Sequence, residues 1–352
     1  MAETEHVVIE GDVMDGLAMI GDESIDCCIT SPPYYGLRNY GIGEWVGGDP
    51  ECEHDTIKSR RGRGGSGTNP KEARFPDSHP APSCSKCGAV FVSSEVGSET
   101  TPEAYVERLV EAFRGVRGAL RPSGTLWLVI GDCYSGSGKG PSGRTGIQGQ
   151  EGRQGFSSRL TRVVGLKNKD LIGVPWMTAF ALRDDGWWLR SENIWHKPNH
   201  KPESVRDRPT RAHEQVFQLT KSARCYYDLD ATRIPLKTKP RVRNAGGEPR
   251  CIRGGSQFSE GKRVWGDPKG RQRDTVWTVH LASKSYGGHV APFPEDLVEP
   301  LILSSCPLDG WVLDPFAGSG TVAAVAKRLG RNSVSIELRH DYAQGIVERL
   351  YG

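Results

Sequence analysis

No apolar run in this 352-residue chain approaches the roughly 18 residues that a membrane-spanning helix needs, and the mean hydropathy is −0.51. A membrane-embedded protein is therefore not expected. The opening MAETEHVVIEG has neither a basic n-region nor an apolar h-region, so no secretion signal is expected either. Charge of one sign is also missing: 46 Lys and Arg stand against 43 Asp and Glu, a net +3. A bulk-basic protein is excluded, and any nucleic-acid surface must come from local clustering. The cysteines number nine, an odd count scattered partly through apolar runs. That argues against a disulfide scaffold and for reduced thiols in the cytoplasm. A phosphate-cradling P-loop is missing too. The stretch GSGKG follows an apolar run, but Lys139 is followed by Gly140 where the motif needs Ser or Thr, and the glycine spacing is wrong.

What is present is organised around Thr30 to Gly36, TSPPYYG, which follows the apolar run Ile25 to Ile29. The run reads as a buried parallel strand entering a turn. Two prolines remove two N–H donors and fix two φ angles near −65°. The result is a rigid turn whose carbonyls can accept, with Ser31 before it and Tyr34 after it. Such an acceptor pair beside an aromatic ring suits a planar ligand with an exocyclic amino group.

The second anchor is Trp311 to Thr321, WVLDPFAGSGT, which reads as strand, Gly-rich turn and helix start. Gly318, Gly320 and Ala323 fit G-x-G-x-x-A, and Glu337 ends the next apolar run. Glycines permit close backbone approach to a nucleotide cofactor, and the acid accepts from ribose hydroxyls. Taken alone this turn fits NAD equally well. Only Thr321 to Gly352 follow it, enough for one helix, one strand and a last helix. The remaining strands of a doubly wound sheet must come from the N-terminal part, which makes the sheet permuted.

TSPPY followed much later by DPFAGSGT resembles the β-class of amino-methylating DNA methyltransferases, which use S-adenosylmethionine and carry the catalytic motif before the cofactor motif. The resemblance extends to Gly11-Asp12, to Trp195–Asn199 (WHKPN), to His213–Phe217 (HEQVF) and to Ala291–Pro300. It implies an α/β fold: a doubly wound, mostly parallel Rossmann-like methyltransferase sheet with permuted motif order. It implies Ser31, Pro32, Pro33 and Tyr34 as catalytic residues. It implies Asp12, Asp314, Phe316, Gly318, Gly320, Thr321 and Glu337 as the cofactor site, with Asp12 in the adenine pocket. A helix N-cap is a compatible second role for Asp12.

The chain divides by composition. Residues 1–44 carry the catalytic turn; 101–235 and 286–352 complete the catalytic domain. Between 45 and 100 a zinc-binding insert is expected, in which Cys52-Glu53-His54 and Cys84-Ser85-Lys86-Cys87-Gly88 offer Cys52, His54, Cys84 and Cys87 as tetrahedral ligands, with His79 as a substitute. Spare thiols in a disordered insert are the alternative. Lys58, Arg60, Arg61 and Arg63 sit on the loop this metal would close. Residues 135–162, rich in Gly and Ser, read as a loop, either plain or ordering over DNA. Pro175 is expected to kink a helix spanning Asp170–Arg183. From 236 to 285 the periodicity disappears, and between Lys237 and Arg273 eleven Lys or Arg stand against three acids. Lys237, Lys239, Arg241, Arg243, Lys262, Arg263, Arg271 and Arg273 are the candidate contacts of an irregular target-recognition insert; a solvated loop is the alternative.

The expected reaction moves a methyl group from S-adenosylmethionine to the exocyclic amine of a base flipped out of double-stranded DNA. Ser31, where many relatives carry Asp, leans the reading toward N4 of cytosine over N6 of adenine. C5-methylation is disfavoured because no Pro-Cys pair occurs. An NAD-dependent dehydrogenase shares the glycine turn but leaves SPPY unexplained; a non-catalytic DNA-binding protein of the same fold is a third reading. A cytoplasmic, nucleoid-associated place in a bacterial or phage-infected cell is expected. So is a possible partner restriction endonuclease, with the chain a monomer or homodimer.

Overall fold

The computed structural model describes residues 4–36, 43–58, 78–81, 83–93, 95–136, 163, 165–236, 241–244, 258–259, 262–265, 267–282 and 293–352. The chain opens with β1 (His6–Glu10), α1 (Val13–Ala18) and β2 (Ile25–Thr30), then enters the first insert with β3 (Gly43–Val46), β4 (Thr56–Lys58), β5 (Ser78–Pro80) and β6 (Val90–Ser93). It returns through α2 (Pro102–Ala119), β7 (Leu120–Ile130), α3 (Val174–Asp184), β8 (Trp188–His196) and β9 (His213–Thr220). Short strands β10 (Arg241–Asn244), β11 (Phe258–Ser259), β12 (Lys262–Trp265) and β13 (Val276–Thr278) precede α4 (Glu295–Ser305), β14 (Trp311–Asp314), α5 (Thr321–Arg328), β15 (Asn332–Glu337) and α6 (His340–Tyr351).

One eight-stranded sheet runs in the order β1-β15-β14-β2-β7-β9-β8-β13. All its neighbours pair parallel except those of β9, which is antiparallel to both β7 and β8. All six residues of β2 are buried, as a central parallel strand covered on both faces requires. Side chains alternate across the sheet. On one face Cys28, Leu126, Leu128 and Phe217 pack with Leu17 of α1, Tyr105 and Phe113 of α2 and Leu182 of α3. On the other, Ile29, Trp127, Val129 and Val216 pack with Val298 and Ile302 of α4 and Val325 of α5. The sheet is doubly wound, and its permuted order sets the first and last parts of the chain side by side.

Local rules explain where the helices begin. Thr101 caps α2 by accepting from the Ala104 N–H at 3.1 Å, and Pro102 stands in the first turn, where no N–H is needed. The same logic corrects the expectation for Pro175. It does not kink a helix begun at Asp170; α3 starts at Val174, with Gly173 left-handed at its cap and Pro175 in its opening turn.

Among the described residues the first insert adds no strand to the main sheet: β3 pairs with β6 and β4 with β5, each antiparallel. The second insert departs from its expected irregularity. β10, β12 and β11 form a small antiparallel sheet, and β13 joins the main sheet beside β8, with Val276 opposite Ile194 and Trp277 opposite Trp195. Residues 137–162 of the glycine-rich stretch lie outside the described residues.

Candidate active site

Parallel strands deliver their carboxyl ends to one edge, and ligands of doubly wound sheets bind there. Here that edge holds a cleft of about 360 Å³. Gly11 and Asp12 follow β1, Ser31 to Tyr34 follow β2, Asp314 to Ser319 follow β14, and Glu337 to Arg339 end β15 and lead from it. Trp195 and Lys197 at the end of β8 and Glu214 at the start of the reversed β9 close the far side.

The turn after β2 is held from three directions. Tyr105 of α2 donates its hydroxyl to the Pro33 carbonyl at 2.9 Å. The returning segment after β6 lies against the turn: Gly36 N–H donates to the Gly97 carbonyl at 2.9 Å, and Tyr35 donates its hydroxyl to the Thr100 carbonyl at 3.2 Å. Gly97 is left-handed (φ 94°), and a Cβ there would stand 3.1 Å from the Pro33 carbonyl oxygen, so this close approach requires glycine. The Pro32 carbonyl takes no hydrogen bond among the described residues. The Tyr34 ring lies over Gly131, where a Cβ would stand 2.5 Å from it. Its hydroxyl accepts from Ser31 Oγ at 3.3 Å and donates to Glu214 at 2.8 Å. Burial, reinforced by the Glu214 charge, pushes the Tyr34 phenol well above its usual range.

Beside it, the turn after β14 is built on two buried acids. Asp314 accepts from Thr30 Oγ1 at 2.7 Å and from the Phe316 N–H at 3.2 Å. Glu337 accepts from the Gly318 N–H at 2.8 Å and the Arg339 N–H at 3.0 Å. Burial pushes each carboxyl up to about 7. Gly318 and Gly320 are both left-handed, at φ 53° and 68°. A Cβ at Gly320 would stand 2.9 Å from Ile346, so the turn hugs α6 as well.

The sequence model of the DNA methylases that comprise N6- and N4-methyltransferases matches residues 25–348. The chain belongs to the N6/N4 DNA methylase family. Type II methyltransferase M.Cfr9I of Citrobacter freundii is 35% identical over 348 residues, covering 98% of this chain and 87% of its own. M.SmaI of Serratia marcescens is 35% identical over 345 residues, covering 97% and 90%. The solved structure of the cytosine-N4-specific PvuII DNA methyltransferase superposes with a TM-score of 0.57 at 16% identity, covering 98% of this chain and 86% of that one; this likeness concerns the fold.

This methylase uses S-adenosylmethionine as its methyl donor, and the cleft suits it. The left-handed glycine turn leaves backbone open to close approach, and the Glu337 carboxyl stands beyond it at the end of β15. Of the cofactor residues expected from sequence, Asp12, Asp314, Phe316, Gly318, Thr321 and Glu337 line the cleft. Gly320 caps α5 behind it. Asp12 also accepts from the Met14 N–H at 2.8 Å as the N-cap of α1. Ser31, Pro32, Pro33 and Tyr34 line the same cleft.

In the first insert the four expected metal ligands converge: the donor atoms of Cys52, His54, Cys84 and Cys87 all lie within 4.8 Å of one another. Cys52 Sγ is 3.9 Å from Cys84 Sγ, and Cys87 Sγ is 3.4 Å from His54 Nδ1. Tetrahedral zinc with Zn–S near 2.3 Å and Zn–N near 2.0–2.1 Å has ligand–ligand edges of about 3.5–3.8 Å. The donor set fits zinc in type, and these two pairs lie close to such edges, while 3.9 Å excludes a disulfide. The knuckle closes through Gly88 N–H to the Cys84 carbonyl at 2.9 Å, with Gly88 left-handed, and Trp45 stacks on His54 at 4.4 Å. With four donors together, His79 of β5 is not needed.

Of the basic candidates, Lys237 and Lys239 lie outside the described residues, as do Arg60, Arg61 and Arg63 on the metal loop. Lys58 ends β4. In the small sheet the register sets Arg243 opposite Arg263, Arg241 opposite Trp265 and Asn244 opposite Lys262. Arg271 pairs with Asp274 at 2.6 Å, and Arg273 is half-buried. Sequence reasoning assigned no role to Trp195, Lys197 and Glu214. Opposite charges flanking the facing ends of two consecutive strands were the available signal.

Proposed function

We propose that this methylase transfers a methyl group to N4 of a cytosine flipped out of double-stranded DNA. The observation that carries the choice is Ser31: a hydroxyl, not an acid, stands ahead of Pro32-Pro33-Tyr34 at the cleft. S-adenosylmethionine supplies an electrophilic methyl group when bound. The amine lone pair of cytosine is delocalised into its ring and is a poor nucleophile. Ser31 Oγ and the Pro32 carbonyl accept the two amino hydrogens, favour a pyramidal nitrogen and aim its lone pair, which is catalysis by positioning and electrostatics. The Tyr34 ring stacks on the base. Asp314, Glu337, Gly318 and Asp12 hold the donor. Adenine N6 is the second reading, because the same acceptor pair accommodates its amino group.

The finer roles follow from this reading. Residues 1–44, 101–235 and 286–352 act as the catalytic domain, 45–100 as a zinc-clipped insert, and 236–285 as the target-recognition insert. In that insert Lys237, Lys239, Arg241, Arg243, Lys262, Arg263, Arg271 and Arg273 meet phosphates. Zinc on Cys52, His54, Cys84 and Cys87 is structural. The enzyme works in the bacterial cytoplasm on nucleoid DNA, as a monomer or homodimer, with a companion restriction endonuclease whose sites it protects. Single-molecule sequencing of DNA from cells expressing the protein tests the central claim. N4-methylcytosine in one fixed context is expected. N6-methyladenine would replace the base assignment, and unmodified DNA would overturn the activity.

A further inference from the structure

Behind the catalytic turn stands a line of polar groups that positioning of the base does not require. Ser31 Oγ donates to Tyr34 at 3.3 Å, and Tyr34 donates to Glu214 Oε2 at 2.8 Å. The other carboxylate oxygen, Oε1, is paired with Lys197. The Lys197 ammonium in turn lies over the Trp195 ring, 4.1 Å from its centroid. Lys197 and Glu214 are only 13% and 18% exposed, so the pair is shielded from water on most sides. Register places them: Trp195 of β8 stands opposite Glu214 of β9, and β9 starts where β7 ends, beside the turn. The titratable groups in contact with Glu214 are Tyr34 and Lys197.

Every donor in this line points the same way, from the cleft toward Glu214. With the Ser31 proton turned to Tyr34, the lone pairs of Ser31 Oγ are left for the amino hydrogens of a bound base. We infer that Ser31, Tyr34 and Glu214 form the exit route for the proton lost on methyl transfer, an inference that rests on the methyltransferase reading above. The balance closes. As the new N–C bond forms and the C–S bond of the sulfonium breaks, the nitrogen holds one proton too many. That proton passes to Ser31 Oγ, the Ser31 proton passes to Tyr34, and the Tyr34 proton passes to Glu214, which ends neutral beside Lys197. No oxidant or further reactant is needed. A tetrahedral aminium has lost its conjugation with the ring and is a strong acid, so a carboxylate is a sufficient acceptor. Glu214 acts through Tyr34 and is a positioning residue and proton sink; it does not touch the base.

The test uses the full-length protein, tritiated S-adenosylmethionine and unmethylated bacteriophage genomic DNA under single-turnover conditions. Glu214→Gln keeps the size and the acceptor oxygen but not the basicity. It should slow methyl transfer about 100-fold or more, with KM values for both substrates within about twofold. Tyr34→Phe keeps the ring and breaks the line, and should give a similar loss. Because the two act in series, the double variant should be no slower than the slower single one. Glu214→Asp should recover part of the rate that Gln does not. A Glu214→Gln enzyme at the wild-type rate, or losses that multiply in the double variant, would overturn the relay and leave the methyltransferase reading intact. Should Glu214→Gln fail to fold, Tyr34→Phe tests the relay alone: a wild-type rate there would overturn it equally. A wild-type protein that labels no DNA would overturn the activity and the relay together.

Discussion

Removing metal from the first insert should cost turnover much more than cofactor affinity, and the structure gives the size of the effect. The Cys52 and Cys84 ligands are 32 residues apart. Closing a loop of that length by a cross-link removes about 4 kcal/mol of unfolded-chain entropy. What remains of the insert without that closure is two separate two-stranded sheets, β3 with β6 and β4 with β5, and an isolated two-stranded sheet is marginal in water. The insert should therefore open when the metal leaves. The main sheet draws none of its strands from the described residues of 43–93, so the S-adenosylmethionine affinity should hold within about twofold.

Turnover is different because the segment leaving β6 grips the catalytic turn. Two hydrogen bonds join them, Gly36 N–H to Gly97 and the Tyr35 hydroxyl to Thr100. At a net value of about 1 kcal/mol each, loosening both costs about 2 kcal/mol of turn preorganisation. If all of that is lost from the transition state, the rate falls about 30-fold. Elemental analysis of protein purified without chelators should give one zinc per chain, lost in Cys84→Ser with Cys87→Ser. Calorimetry with S-adenosylmethionine, single-turnover methyl transfer and amide exchange over 43–58 and 83–93 complete the assay. Metal-free protein as purified refutes the site. Metal removal with unchanged exchange in those segments refutes the argument that the clip holds the insert together.

Tyr34→Ala should lower turnover far more than cofactor affinity, since the ring faces the base side; equal losses measured by calorimetry and kinetics would contradict that placement. Gly131→Ala puts a Cβ 2.5 Å from the Tyr34 ring and should slow methyl transfer at least tenfold while the folded protein still binds cofactor, a split read by the same two assays. Gly318→Val forces a β-branched residue into a left-handed conformation (φ 53°) and should abolish cofactor binding in protein that remains folded by circular dichroism. Asp314 and Glu337 are both raised to about 7 by burial. In the apo protein the stability from their raised values is full below the ordinary carboxylate range and lost as pH rises through 7, so the apo melting temperature should fall from pH 5 to pH 8. Cofactor affinity should move oppositely, rising through pH 7 as Glu337 ionises to accept ribose hydroxyls; a titration flat in pH would remove that role.

Much of the site was legible because its chemistry sits in contiguous strand–turn segments. TSPPYYG and DPFAGSGT each announce a buried strand followed by a turn of special backbone, and each lies where that pattern implies. The convergence of Cys52, His54, Cys84 and Cys87 was legible for a similar reason, since each pair is close in sequence. What sequence did not reveal depends on pairing between distant segments. β13 is three residues long and follows a stretch rich in charge; only its register beside β8 makes it a strand. The Glu214–Lys197 pair sits 17 residues apart in sequence but is made by a hairpin. Its approach to Tyr34 depends on β9 being reversed next to β7. Pro175 misled because proline signals both a kink and a helix start, and only Gly173 in the left-handed region two residues earlier separates the two.

Permutation sets one further constraint. The catalytic turn and the cofactor turn lie at opposite ends of the chain, yet β2 and β14 are adjacent, with Cys28 opposite Leu313. Neighbouring strands stand about 4.8 Å apart, so the two turns start one strand spacing from each other whatever the inserts do. The contact is tightened at the rim, where Thr30, last in β2, donates to Asp314, last in β14, at 2.7 Å. That bond is buried, and it ties the carboxylate below the cofactor turn to the residue that launches the Ser31 hydroxyl. The two motif-bearing turns are therefore positioned by two adjacent strands deep in the sheet. The inserts add nothing between β2 and β14. This separation accounts for a chain in which the two chemical motifs are compact while the segments between them are long, basic and rich in glycine.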